Sequence, residues 1–120
     1  MTHEKLFTVT ENDTAARFAS GTALVLATPC MIAWMENTAL EMIPLEEGMS
    51  TVGTAINVQH MKASAVGEKI RCVAEIVEQE GRRTLFNIVC YNEANEEIGK
   101  ATHERFVINM AKFMAKLEKK

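Results

Sequence analysis

The sequence predicts an α+β fold in which one long central helix is wrapped by a curved antiparallel β-sheet. Three features carry that prediction. The segment after Pro29 is apolar around most of a helical circumference. The stretch from Ser50 to Met110 reads almost throughout as alternating strand runs separated by turn signals. The chain's 120 residues amount to one ordinary domain, so helix and strands are expected to share one core spanning 1–120.

Taken in order, the first element is a short edge strand over Leu6 to Val9. Thr28 followed by Pro29 then reads as a helix start. Threonine is a good N-cap, and the missing N–H of proline costs nothing in the first turn. From Pro29, the residues Met31, Ile32, Ala33, Trp34, Met35, Ala39, Leu40, Met42 and Ile43 cover most of the helix. Asn37, Thr38 and Glu41 leave a narrow polar edge, and Pro44 ends the run. A helix of about fourteen residues with so little polar surface must be enclosed by other elements.

The enclosing strands follow. Ser50 to Lys62 is expected to set Val52, Ile56 and Val58 on one face. After Ala65-Val66-Gly67, a run from Glu68 sets Ile70, Cys72, Ala74 and Ile76 inward, and Glu80-Gly81 turns the chain into Arg83 to Tyr91. Asn92 to Glu97 makes another turn. Ile98 to Met110 is a last long strand, with Thr102, Glu104, Phe106 and Ile108 on one face and His103, Arg105 and Val107 on the other. Met110, Phe113, Met114 and Leu117 then keep helical spacing between lysines, which predicts a short amphipathic helix docked on the domain.

Thirteen Lys and Arg against sixteen Asp and Glu leave a net charge of -3, so no overall positive field exists to hold a nucleic acid. The longest apolar run, around Ala23 to Ala27, is far shorter than a membrane span, and MTHEKLF has no signal-peptide pattern. A cytoplasmic protein is expected. Cys30, Cys72 and Cys90 have neither CxxC nor metal-ligand spacing, which points to reduced thiols. The three histidines lack metal-ligand spacing too, and no GxGxxG or P-loop pattern occurs.

Six places in the chain offer chemistry. Glu36 has Ile32 and Leu40 as its one-turn neighbours, with Met35, Ala39 and Ile43 beside it, which puts a carboxylate on the buried side. Such a group must be hydrogen-bonded, neutral or open to a ligand cavity. Strand alternation puts His60 with Val52, Ile56 and Val58, so a His and a Glu would converge as an acid-base pair requires; a satisfied core histidine is the plainer alternative. Thr28 brings a hydroxyl to the positive end of the helix dipole, where a carbonyl oxygen can be stabilised, or it simply caps. Cys30, in the first turn, is either a low-pKa nucleophile or a small buried hydrophobe. Arg82, Arg83 and the tail lysines Lys112, Lys116, Lys119 and Lys120 either meet the phosphates of an anionic ligand or form solvated surface. His103 and Arg105 share a strand face, from which Arg105 would brace the Glu36 and His60 site or pair with a nearby acid.

Four segments in order extend this reading: Leu26-Ala27-Thr28 leading into the helix with Glu36, Thr51-Val52-Gly53-Thr54 leading to His60, Glu80-Gly81-Arg82-Arg83, and Ala101-Thr102-His103-Glu104-Arg105-Phe106. Together they resemble the fluoroacetyl-CoA thioesterase-like branch of the hotdog-fold thioesterases, over about Leu24 to Phe113. The resemblance implies a hotdog fold, a homodimer, and acyl-CoA bound near the dimer interface. It places Thr28, Glu36 and His60 on the family's catalytic threonine, glutamate and histidine. Gly53 falls on a glycine of the substrate pocket and Arg105 on the arginine that braces the site.

The implied activity is hydrolysis of an acyl-CoA thioester, with a non-catalytic acyl-CoA-binding hotdog module as the alternative. The Asp-His pattern of a hydratase is not evident. No metal or redox cofactor is required, because a thioester is already an activated acyl group. Ala19 and Thr22 stand where the fluoroacetyl-selective form carries lid phenylalanines, with Phe18 the nearest aromatic, and Cys30 replaces a bulky aromatic. These departures favour a different short or medium acyl chain.

Overall fold

A computed structural model describes residues 1–118. Strand β1 (Thr2–Thr8) is followed by a 3₁₀ turn (Glu11–Asp13), a short helix α1 (Ala15–Phe18) and the long helix α2 (Thr28–Leu40). Strands β2 (Met49–His60), β3 (Lys69–Glu80), β4 (Arg83–Tyr91) and β5 (Glu97–Asn109) come next, and helix α3 (Met110–Glu118) closes the described chain. The strands form one sheet in the order β1-β3-β4-β5-β2, with every neighbouring pair antiparallel. With α2 laid across it, this is the hotdog arrangement.

Met31, Met35 and Ala39 of α2 pack onto Ile70, Cys72, Ala74, Phe86, Ile88, Cys90 and Ile98 of the sheet. Burial of each large apolar side chain in such a layer contributes about 1.5–3 kcal/mol. Helix and sheet approach closely at Gly99: a Cβ there would lie 2.5 Å from the sulfur and methyl of Met31. Cys72 and Cys90 face each other in register on β3 and β4, buried and not bridged.

Several boundaries differ from the sequence reading. Helix α2 begins with Ala27 as its N-cap, so Thr28 is its first residue and its hydroxyl caps nothing. The helix stops at Leu40 rather than running to Pro44, and Met42 and Ile43 close tight turns onto the carbonyls of Ala39 and Leu40 at 3.0 and 3.3 Å. Strand β1 starts at Thr2, well before Leu6. Its half-buried positions include His3 and Lys5, which the apolar pattern passes over because their partners are polar: both bond to Glu41, and Lys5 also reaches Asn37. Phe7 on the same face stacks on Trp34 at 4.8 Å.

The departure that matters most for the site is in β2. Thr51 pairs with Val107 and Gly53 with Arg105, but Ala55 pairs with Glu104, so the register shifts between Gly53 and Ala55. A bulge of one residue switches which alternate positions face inward. Thr51 and Gly53 face in before it, and Ile56, Val58 and His60 after it. Val52 therefore lies on the opposite side from Ile56 and Val58.

Helix α3 docks less than its spacing implies. Phe113 is half-buried, but Met110, Met114 and Leu117 are 43–50% exposed. Among the described residues, no helix is long and apolar enough to cross a membrane.

Candidate active site

The bulge in β2 points Gly53 at the middle of α2, at the level of Glu36. A Cβ on Gly53 would lie 3.0 Å from His103 Cε1, 3.1 Å from Glu36 Oε2 and 3.3 Å from Arg105 Nη1. The missing side chain thus leaves the space into which a carboxylate, a guanidinium and an imidazole all face. Ala33, Glu36, Asn37, Leu40, Thr51, Val52, Gly53 and Arg105 line an open cavity of about 460 Å³ there. Glu36 is half-buried at its rim rather than enclosed in the core.

Arg105 is fixed from three directions. Its Nε donates to Thr51 Oγ1 at 2.9 Å, Nη2 donates to the Thr51 carbonyl at 3.0 Å, and Nη1 donates to His103 Nε2 at 3.2 Å. His103 Nδ1 lies 2.9 Å from the carbonyl oxygen of Ala55, inside the bulge. A carbonyl only accepts and a guanidinium only donates, so His103 carries its proton on Nδ1 and is neutral. Burial holds its pKa below the ordinary value, partly offset by the Ala55 bond, while the Arg105 charge lowers it further and Glu36 works the other way. Arg105 is also lowered by burial and supported by Glu36.

The other two candidates meet at the start of α2. Thr28 Oγ1 and His60 Nδ1 are 2.7 Å apart, in a cavity of about 240 Å³ whose wall includes the small side chains of Ala15, Ser20, Val25 and Ala63. His60 Nε2 is buried without a hydrogen-bond partner. Burial lowers the His60 pKa, partly offset by the backbone at Lys62, which favours the neutral ring. Phe18 is exposed on α1 and Ala19 ends that helix in a left-handed conformation at φ 56°.

The candidate residues of one chain therefore fall into two separate clusters. Thr28 and Glu36 are eight residues apart on one helix, about 12 Å along its axis, so Glu36 and His60 do not meet within one chain. Arg105 lies on the Glu36 side only, bonded to Thr51 and His103. Cys30 is no thiolate nucleophile: burial, and then Asp13 beside it at 3.4 Å, push its pKa up to about 12. Arg83 is taken up by Glu78 and Glu104, whereas Arg82 joins Lys112 and Lys116 at a separate groove. Lys119 and Lys120 lie outside the described residues. The sequence reading did not pick out Thr51 as a holder of Arg105, because its facing depends on the bulge. Gly53 inside a strand was the available signal.

Residues 9–111 match the model of a family described as fluoroacetyl-CoA-specific thioesterase. The chain belongs to that family. A fluoroacetyl-CoA thioesterase from Streptantibioticus cattleyicolor is 40% identical over 98 residues, 80% of this chain and 70% of that protein. A solved structure of the fluoroacetyl-CoA thioesterase superposes with a TM-score of 0.94 at 31% identity, covering 100% of this chain and 94% of that one. A single-site mutant of that enzyme, solved with fluoroacetate and CoA, gives 0.88 at 30% identity over 94% and 96% of the two chains. Glu36, Gly53, Arg105, Thr28 and His60 thus all lie within the span matched to a thioesterase family.

Proposed function

We propose that this member of a thioesterase family hydrolyses a short or medium acyl-CoA thioester to the free acid and CoA, as one domain over residues 1–120. The observation that carries this is the Glu36 carboxylate, aimed with Arg105 and His103 at the gap over Gly53 and open to a cavity. In the reaction, Glu36 acts on the thioester carbonyl carbon, directly as nucleophile or by drawing a proton from water. The carbonyl oxygen takes up negative charge, and backbone N–H groups at the start of α2 and around Gly53 stabilise it. The C–S bond then breaks beside the His60 ring that Thr28 holds in place. On the water route, the proton that Glu36 draws passes through neutral His60 to the CoA sulfur; on the nucleophile route, the thiolate leaves an acyl–Glu36 anhydride, and water hydrolyses it to the free acid while giving a proton through His60 to the sulfur. No metal or redox step enters this scheme.

A homodimer completes the site in this reading. Strand β2 is a sheet edge with its outer hydrogen-bonding groups unpaired, and Ala33 and Leu40 beside Glu36 are exposed. Antiparallel pairing of β2 with β2 of a second copy would bring the Glu36 half-site of one protomer toward the Thr28–His60 half-site of the other. The small wall beside Thr28 suits a short or medium acyl chain, and the exposed Phe18 gives no lid that would select fluoroacetyl. The proposed setting is the cytoplasm.

The test is a free-thiol release assay over acyl-CoAs from acetyl to long chain, run beside Glu36→Gln and His60→Ala variants checked for folding. Saturable hydrolysis that both variants lose is the expected result. Wild-type activity in Glu36→Gln would overturn the mechanism. Binding of acyl-CoA without turnover on any substrate would make the protein a binding module instead.

A further inference from the structure

We propose that the groove between α3 and the ends of β2 and β5 is a phosphate subsite for the nucleotide end of CoA. The inference rests on the acyl-CoA reading above and names a part of the site outside the two half-sites. The groove has a volume of about 290 Å³. Arg82, Lys112 and Lys116 bring three cations to it over an apolar floor of Met49, Ile108 and Phe113.

Nothing within the described residues neutralises these cations. Neighbouring Arg83 is paired with Glu78 and Glu104, whereas Arg82, Lys112 and Lys116 form no salt bridge there. Glu46, Glu47 and Glu80 are close in the chain, but they are exposed and unpaired with the groove. Lys112 and Lys116 are one helical turn apart, a like-charge spacing that weakens a helix unless an anion sits between the two. In a chain of net charge -3, three unpaired cations from two distant segments form a local positive field.

The groove is built by backbone ties as well. The Arg82 carbonyl accepts from Val107 N at 2.9 Å, and the Gly48 carbonyl accepts from Met110 N at 3.0 Å. Asn109 Oδ1 accepts from Lys112 N at 3.0 Å, which caps α3 and fixes where its lysines begin. The loop before β2, the β3–β4 turn and α3 are thereby held around one opening.

Its position suits the length of CoA. Met49, Thr51 and Gly53 lie on one face of β2, pairing in unbroken register with Asn109, Val107 and Arg105. From Gly53 back to Met49 the strand covers roughly 13 Å. An extended pantetheine arm, from thioester sulfur to diphosphate, spans on the order of 15 Å by ordinary bond lengths. A thioester at Glu36 would therefore place its phosphates among Arg82, Lys112 and Lys116. Phe113 and Ile108 offer apolar surface for the adenine.

The test compares one short acyl group carried on CoA, dephospho-CoA and pantetheine, using wild type and the triple variant Arg82→Ala, Lys112→Ala, Lys116→Ala. A Lys100→Ala variant, changed on the other face of the sheet, controls for general loss of charge. The triple variant should raise KM for acyl-CoA about 10- to 100-fold with kcat within about twofold, and leave acyl-pantetheine unchanged. The dephospho-CoA arm assigns the contact to the 3′-phosphate or the diphosphate. An unchanged KM for acyl-CoA, or an equal rise for acyl-pantetheine, overturns the subsite. Should no acyl-CoA be hydrolysed, the thioesterase reading fails separately, and calorimetry with CoA against pantetheine decides the groove. CoA binding that the triple variant loses supports it; equal binding of both, or of neither, overturns it.

Discussion

Thr28 and His60 are joined by a 2.7 Å contact between Oγ1 and Nδ1, and this leaves the other ring nitrogen of His60 buried and unpartnered. The contact holds the ring by its Nδ1 side, and in the proposed reaction Nε2 is the nitrogen left to exchange a proton with the leaving group or a water. Burial lowers the His60 pKa below its ordinary 6.5, so the ring stays neutral further into acid than a free histidine. The acidic limb of kcat/KM assigned to His60 should therefore fall below pH 6.5, and NMR titration of the ring should give the same midpoint. A midpoint above 6.5 would contradict this assignment. Stability follows the same sign. His60 and His103 both have depressed folded-state values, so their contribution is present above the unfolded pKa and is lost as pH falls through the folded one. The Tm should decline below about pH 6.5.

Gly53 and Gly99 separate catalytic space from packing space. A Cβ at Gly53 meets Glu36, His103 and Arg105 at 3.0–3.3 Å, all in or beside the proposed site. Gly53→Ala should lower kcat/KM roughly 10- to 100-fold through displacement of Glu36 and Arg105, with little change in Tm. A Cβ at Gly99 meets Met31 at 2.5 Å inside the core. Gly99→Ala should cost about 1–3 kcal/mol of stability, with activity per folded molecule largely kept. Paired urea melts and steady-state kinetics on the two variants check this, and matching profiles would refute the separation.

Arg105 should tolerate no substitute. Lysine keeps the charge but cannot donate at once to Thr51 Oγ1, the Thr51 carbonyl and His103 Nε2. Arg105→Lys should destabilise the fold by about 2–4 kcal/mol, because buried acceptors lose their donors. His103→Gln should lower kcat more than it raises KM, since His103 Nε2 accepts from Arg105 and holds its guanidinium at the gap over Gly53. Full rescue of kcat by Arg105→Lys would show that charge alone matters there.

How much of this was legible in the sequence depended on whether a residue's role follows from local pattern or from register. Helix α2 was readable because Met31, Met35 and Ala39 repeat at helical spacing between two prolines, and the four long strands because their apolar residues alternate. The start of α2 lies one place before the expected cap: Thr28 is the better capping residue, but its hydroxyl is on His60 and Ala27 takes the cap position without a side-chain bond. The single-chain meeting of Glu36 and His60 was expected from unbroken alternation along β2. A bulge after Gly53 turns Gly53 rather than Val52 inward, and His60, though it faces in, meets Thr28 at the helix start, about 12 Å along the axis from Glu36. The bulge also decides that Thr51 and His103 hold Arg105. Such a slip is fixed by pairing with β5, and the in-strand Gly53 is the one local mark of it in β2.

The separation of the half-sites leads to a complementation test. If Glu36 of one protomer works with Thr28 and His60 of its partner, Glu36→Gln and His60→Ala are each inactive as homodimers but compensate when mixed. In a mixed dimer one site carries both lesions and the other carries neither. Random exchange makes half the dimers mixed, so activity should return to about a quarter of wild type. Co-expression with two different affinity tags isolates the mixed dimer, in which the expected recovery is about half. Were each site built within one chain, every site in the mixture would carry one lesion and no activity would return. Val58→Pro, which removes an N–H that points to the free edge of β2, should abolish both the dimer and the recovery, because proline cannot donate to an inter-chain ladder. Light scattering on that variant completes the argument: a stable dimer with full complementation would mean that the protomers meet through a surface other than β2.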